Sequence, residues 1–253
     1  MPRTPLVEPA DALTPAESAR FARQIALPHI GVVGQRRLKN ARVLVAGAGG
    51  LGSPVISYLA AAGVGTLVIV DDDTVEESNL PRQLIHAGAA PGTPKAESAA
   101  AEARRLNPFG DAVAVTERIG GSLGGIHLEG IHLVMDTTDD AAARLVLHDA
   151  AMAAGIPYVW GTAVGTDGMV SVFWADAPGG GVTLRDLHPD PLADTNRRCV
   201  VDGVTGPLCA AIGGVMAGET LKLIVGAGDV LLGRVLVFDA LDTTWREVAL
   251  RPA

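Results

Sequence analysis

The 253 residues carry 28 Asp and Glu against 20 Lys and Arg, a formal net charge of -8, and 48% hydrophobic residues with few aromatics. A chain of this size can bury one large α/β domain or two small ones around a core of Val, Leu, Ile and Ala. The acidic balance excludes a general electrostatic footprint for nucleic acid or an anionic membrane, and two cysteines close in sequence, Cys199 and Cys209, exclude a disulfide scaffold and point to a reduced, cytoplasmic protein.

Residues 1–13 mix Pro, Glu and Asp without a basic segment followed by an apolar run, so a flexible leader is expected rather than a secretory signal. Thr14-Pro15-Ala16-Glu17 then combines a capping hydroxyl, proline at the first helical position and a glutamate able to reach back to the cap. The helix it opens is expected to carry both Arg20 and Arg23, with a second short helix around 35–39. The uncharged stretch 43–70 is long enough to span a bilayer. Its glycines and Pro54 break it into strand, turn, helix, turn and strand, so a buried βαβ unit is expected, with strands over 42–46 and 66–70 and a small-residue helix over 53–62.

Thr93-Pro94 begins a helix running toward Leu106, and 112–116 and 131–135 read as further buried strands. A helix over 139–154 and a strand over 157–160 complete an alternation that predicts an α/β fold, a doubly wound, Rossmann-like, mainly parallel sheet. Beyond Gly161 the rhythm changes: strands at 169–174, 234–239 and 244–250 follow one another with one helix, 207–225, between them, so antiparallel strands are expected in the C-terminal half. The stretch 176–198 is rich in Pro, Gly and Asp without an apolar period, which predicts a long mobile loop acting as a lid or crossover. One domain over 14–253 is expected, with a nucleotide-binding half at about 14–160 and a second, carrier-binding half at about 161–253.

The turn Gly47-Ala-Gly-Gly-Leu-Gly52 lies between strand and helix, where glycines at 47, 49, 50 and 52 let backbone N–H groups approach a phosphate at a helix N-terminus. Asp71 falls about 20 residues further on, at the end of the second strand, the usual place for a carboxylate that binds ribose hydroxyls; Asp72 and Asp73 fit a surface acidic run as well. An NAD-dependent oxidoreductase and an ATP-using enzyme are equally supported to this point. Ser78-Asn79-Leu80-Pro81-Arg82-Gln83 and Lys95 then place an amide, a guanidinium and an ammonium after the ribose site, cations that suit a triphosphate and the charge of a departing pyrophosphate. Taken singly, each is an ordinary solvated basic residue. The six histidines show no metal-ligand spacing, and Cys209 in an apolar helix fits a small buried residue.

Arg20-Phe-Ala-Arg23-Gln-Ile, Gly47-Ala-Gly-Gly-Leu-Gly-Ser-Pro54, Asp71-Asp-Asp-Thr-Val75, Ser78-Asn-Leu-Pro-Arg-Gln83, Pro94-Lys95, Asp136-Thr-Thr-Asp139, and Cys199 followed by Gly203-Val-Thr-Gly-Pro207 together resemble the ubiquitin-activating-enzyme-like adenylyltransferases. Within them, the likeness is to the bacterial activators of sulfur carriers for molybdopterin and thiamine synthesis. The resemblance implies ATP-dependent adenylylation of the C-terminal glycine of a small ubiquitin-like sulfur carrier ending in Gly-Gly. It assigns the ribose to Asp71 and the phosphates to Asn79, Arg82 and Lys95, with Asp73 and Ser78 beside them. It gives a magnesium ion to Asp139, with Asp140 adjacent. It also implies a homodimer in which Arg23 reaches the nucleotide of the partner subunit. Cys199 matches a cysteine that bonds covalently to the activated carrier in some relatives and is dispensable in others; the cations of Asn196-Arg-Arg198 would favour its thiolate.

The pattern departs from that family in places. Many relatives bind a structural zinc through two Cys-x-x-Cys pairs, whereas Thr183-Leu-Arg-Asp186 stands at the first pair's position and two cysteines cannot make a four-thiolate site, so no zinc is expected. Pro81 replaces a common glutamine and Asp140 a common asparagine. No rhodanese-like module follows, so a separate sulfur donor is expected. The competing expectations are a nicotinamide-dependent oxidoreductase, a catalytically silent scaffold that docks a ubiquitin-like protein, and an adenylyltransferase for another carboxylate such as a modified nucleoside on tRNA.

Overall fold

A computed structural model describes residues 4–120, 123, 126–189 and 203–250. Its strands are β1 Arg42–Ala46, β2 Thr66–Val70, β3 Asp111–Val115, β4 Leu133–Asp136, β5 Tyr158–Val164, β6 Asp167–Phe173, β7 Arg234–Asp239 and β8 Thr244–Ala249. The helices are α1 Pro15–Arg20, α2 Ala22–Ile25, α3 Gly31–Asn40, α4 Gly52–Ala61, α5 Lys95–Leu106, α6 Ala141–Ala153, α7 Leu184–Leu187 and α8 Gly206–Val225. All eight strands form one sheet in the order β3-β2-β1-β4-β5-β6-β7-β8. The first five neighbours run parallel, and β5 through β8 pair antiparallel, as the change of rhythm after Gly161 predicts.

The parallel strands β1 and β2 are near-continuous apolar runs because helices cover both faces. On one face Leu38, Val55, Leu59, Ala99, Ile212 and Met216 bring α3, α4, α5 and α8 onto the sheet. On the other, Leu44, Val134, Leu147, Tyr158, Phe173 and Leu184 join α6 and α7 to it. Helix α8 is long and apolar enough to cross a membrane by length and composition, but 61% of its apolar window is buried inside the fold. The capping box at Thr14 forms as expected.

Several expectations change in detail. The first helix breaks at Phe21, whose buried ring turns the chain between α1 and α2, so Arg20 and Arg23 lie on separate short helices. Helix α3 is longer than expected. Strand β3 is an edge strand with alternating exposure, not a buried one. The helix expected from 139 starts at Ala141, because Asp140 caps it through the Ala142 and Ala143 amides. Residues 4–13, expected as a flexible leader, are held: Val7 is buried, Leu6 N–H donates to Leu223 O at 3.1 Å, and Arg36 Nε donates to Ala10 O at 2.7 Å. The expected mobile loop is packed over 177–188, where Ala177, Val182 and Leu184 enter the core and α7 forms; its remainder at 190–198 lies outside the described residues.

Candidate functional site

Strands β1 and β4 are neighbours, although β2 and β3 come between them in sequence. The chain leaves their carboxyl ends toward opposite halves of the sheet, which opens a crevice there. The turn after β1 forms its floor. Gly47 has φ +92°, and a Cβ on it would stand 2.9 Å from Thr137 Oγ1, so the position admits only glycine. Thr137, just after β4, donates its hydroxyl toward the carbonyls of Ala46 and Gly47 at 2.8 and 2.7 Å, tying the two strand ends together. Gly50 lies against α8, where its Cβ would meet Cys209 Sγ at 2.9 Å, and the stem of Arg82 passes 3.6 Å away.

On the β2 side, Asp71 Oδ2 accepts the Ala48 N–H at 2.6 Å and Oδ1 accepts the Asp73 N–H at 2.9 Å. Burial pushes the Asp71 carboxyl above its ordinary range, against the pull of those two amides and of Lys95. Behind the turn, buried His86 places Nε2 2.8 Å from the Ala48 carbonyl and Nδ1 2.9 Å from Ser98 Oγ. A carbonyl only accepts, so Nε2 carries the proton. Burial holds the His86 ring below its ordinary value.

The cations are held by local structure. Residues 73–75 run antiparallel to 93–95, and this places Lys95, almost wholly buried, with Nζ 2.9 Å from Asp73 Oδ2. A 3-10 turn at Glu77–Asn79 brings Arg82 back on itself, its Nη1 donating to Ser78 O at 3.2 Å and Nη2 to Asn79 Oδ1 at 3.0 Å. The buried Gln83 carboxamide follows, with Nε2 facing the Gly49 position at 3.6 Å.

At the end of β4 the decisive group is Asp136. Fully buried, it accepts from Tyr158 OH at 2.6 Å, from the Thr138 N–H and hydroxyl at 2.8 and 2.6 Å, and from Arg144 Nε at 3.3 Å. These contacts shape the loop that presents Asp139, exposed at the crevice edge. The Arg144 guanidinium lies 5.7 Å from the Trp160 ring centroid.

One cavity of about 870 Å³ joins these groups. Of the residues picked from sequence, Gly47, Gly49, Gly50, Asp71, Asp73, Asn79, Arg82, Lys95, Asp139 and Asp140 line it. The cavity then continues past Trp160 to Leu184, His188 and Val204.

Others are placed differently. Gly52 is buried at the start of α4, pressed against the Gly47 carbonyl, and gives room rather than a ligand. Ser78 does not line the cavity; its hydroxyl donates at 3.2 Å to Glu76, which does. Asp73 is committed to Lys95 and one Asp140 oxygen to the α6 cap. Arg23 is exposed on α2, beside which Gln24 bonds Ala62 O ahead of β2, at the other end of the sheet from the crevice. Cys199 lies outside the described residues. Sequence reasoning quoted Asp136, Thr137 and Gln83 within motifs but gave them no role, and it missed Arg144 and His86. An acidic residue closing a buried strand, with an arginine about one turn into the next helix, was the available signal for Asp136 and Arg144; nothing local marked His86.

The ThiF family model matches residues 21–253. The chain is 49% identical over 249 residues to the probable adenylyltransferase/sulfurtransferase MoeZ of Mycobacterium tuberculosis, covering 98% of this chain but 64% of that protein, less than two thirds. It is 42% identical over 235 residues to the SAMP-activating enzyme E1 of Haloferax volcanii, covering 92% of this chain and 85% of that protein. Among solved structures, PaaA superposes with a TM-score of 0.78 at 22% identity over 96% of this chain and 76% of its own. E. coli MccB with ATP gives 0.75 at 19% over 92% and 72%. These two structural likenesses establish the fold.

Proposed function

This chain belongs to the ThiF family, and we propose that it transfers the adenylyl group of ATP to a carboxylate, the C-terminal glycine of a small ubiquitin-like sulfur-carrier protein, releasing pyrophosphate. The observation that carries this is the convergence of Arg82 and Lys95 on the same cavity as the glycine turn and Asp71. Two cations beyond the glycine turn suit a triphosphate and a departing pyrophosphate better than the pyrophosphate of NAD, which the helix N-terminus by itself accommodates. The likeness to MoeZ and to the SAMP-activating enzyme E1 supports an activator of this kind, and MccB, which shares the fold, was crystallised with ATP.

ATP, as substrate, would lie with its phosphates over Gly49 and Gly50 and its ribose at Asp71, whose oxygens keep acceptor capacity beyond the two amides they hold. An acceptor carboxylate oxygen attacks the α-phosphorus, the bond to the bridging oxygen breaks, and pyrophosphate leaves with the electron pair. A carboxylate is already ionised at neutral pH, so the protein's contribution is position and charge rather than a general base. Arg82, fixed by Ser78 and Asn79, would meet the charge developing on the phosphoryl oxygens, and Lys95 would do so from its buried post beside Asp73.

Asp139, exposed at the crevice edge, fits a magnesium ion held by one carboxylate and phosphate oxygens. That ion would neutralise phosphate charge when bound. The end of the cavity past Trp160 would receive the acceptor tail. Exposed Arg23, at the far end of its own sheet, suits a role in a partner copy's site, which makes the enzyme a homodimer with composite sites. Cys199 is the candidate for a covalent link to the activated carrier.

The test is intact mass spectrometry of candidate carriers ending in Gly-Gly after mixing with ATP, magnesium and the protein. An added AMP on the carrier, with ATP–pyrophosphate exchange that requires the carrier, is the expected result. Exchange without any carrier, or tight NAD binding with no response to ATP, would overturn it.

A further inference from the structure

The proposed chemistry leaves His148 without a task, yet this buried ring connects α6 to the far wall of the cavity. Helix α7 is closed at its start by a reciprocal cap, in which Asp186 Oδ2 accepts the Thr183 N–H at 2.7 Å and its hydroxyl at 2.9 Å. Arg185 binds both oxygens of Asp149 on α6, at 2.6 and 3.0 Å. Between these two clasps the Leu184 N–H donates to His148 Nε2 at 3.0 Å in the buried interior. A ring nitrogen that accepts carries no proton, so the proton sits on Nδ1, 2.9 Å from Asp149 Oδ1. Leu184 and His188 wall the cavity beyond Trp160, and the His188 ring stands edge-on to that of Trp160 at 6.0 Å between centroids.

We propose that His148 is a positioning residue for this wall: the neutral ring keeps α7 seated by accepting the Leu184 N–H, and on taking up a proton it becomes a second donor at that point, releases α7 and widens the acceptor end of the cavity. That the widened end receives the acceptor rests on the function proposed above; the latch itself does not.

The surroundings of the ring set the direction. Asp149 faces it from α6, Arg185 from α7 and Asp136 from the end of β4, while Tyr158 and Phe173 present ring edges from β5 and β6 at 5.5 and 6.3 Å. Burial is the strongest influence and holds the ring below its ordinary value of 6.5, although Asp149 pulls the other way. Arg185 keeps Asp149 ionised, with a pKa of about 2. Through mildly acidic pH, then, the Asp149–Arg185 clasp keeps its charges while the ring titrates, and release grows as pH falls below 6.5.

Amide hydrogen exchange of the whole chain, without nucleotide or carrier, tests this. With rates normalised to intrinsic exchange, protection of the 184–188 amides is expected to fall about tenfold between about pH 7.5 and about pH 5.5, the loss of one buried hydrogen bond. Protection of β1 and β4 should stay high. In His148→Gln, whose amide oxygen reaches the Nε2 position and does not titrate, the step should vanish. Constant protection of 184–188 in the parent, an equal fall across all core strands, or the same step in His148→Gln would each overturn the proposal. A protein that shows the step but never exchanges pyrophosphate at any pH keeps the latch and loses the function assigned to the cavity.

Discussion

Replacing Gly50 with alanine is a direct probe of how tightly the glycine turn is set against α8. The added Cβ would stand 2.9 Å from Cys209 Sγ, where ordinary contact begins near 3.4 Å. Cys209 is almost wholly buried on α8, at the edge of the site cavity. The overlap has to be relieved by turning the sulfur toward that cavity or by moving the turn or the helix, at about 1–3 kcal/mol. At about 2–4 °C of melting temperature per kcal/mol for a chain near this size, Gly50→Ala should melt several degrees below the parent. Cys209→Ala removes the obstructing sulfur and by itself costs roughly 1 kcal/mol as a small cavity. In the double variant the new methyl occupies part of that space, so the two losses should not add, and a favourable coupling of about 1 kcal/mol or more is expected. Urea unfolding of the four proteins measures it. A neutral Gly50→Ala, or a double variant whose loss equals the sum of the single ones, would refute the close approach of turn and helix.

Three further outcomes follow from the site. Arg82→Ala and Lys95→Met should each lower the rate of carrier-dependent pyrophosphate exchange by about 10²- to 10³-fold, with the circular dichroism spectrum unchanged; near-parental exchange would remove both from the chemistry. Asp136→Ala strands Arg144 and the Tyr158 hydroxyl against a buried gap, and a loss of about 3–5 kcal/mol in denaturant unfolding is expected, whereas a loss under about 1 kcal/mol would show that the network does not hold. Burial lowers His86, His132 and His148 below 6.5, so the unfolded chain binds more protons than the native one as pH falls from 6.5 toward the native values. Their contribution to stability is complete above that pH and is lost going down through the window; a melting temperature that rose between about pH 7 and about pH 5.5 would contradict the sign.

Local patterns determined most of the fold and much of the cavity lining. The strands of the βαβ unit and the Thr14 cap were legible because apolar runs, capping pairs and turn glycines act over a few residues, and the glycine turn, Asp71, Arg82 and Lys95, singled out along the chain, come together on one cavity. Tertiary structure decided what depends on distant partners. Sequence could not show that Asp73 holds Lys95, which depends on the pairing of 73–75 with 93–95, or that Asp136 is the carboxylate that shapes the Asp139 loop, which depends on Tyr158 and Arg144 coming within hydrogen-bond reach of the end of β4; the Asp140 cap, by contrast, is a local contact written at the helix start. The stretch from 177 to 188 misled for the same reason: its polar, glycine-rich composition reads as a loop, while Val182 and Leu184 find a hydrophobic surface only when α6, β5 and β6 are already in place. Hydrophobic periodicity is written along the chain, but burial and charge pairing belong to neighbours that only the folded sheet supplies.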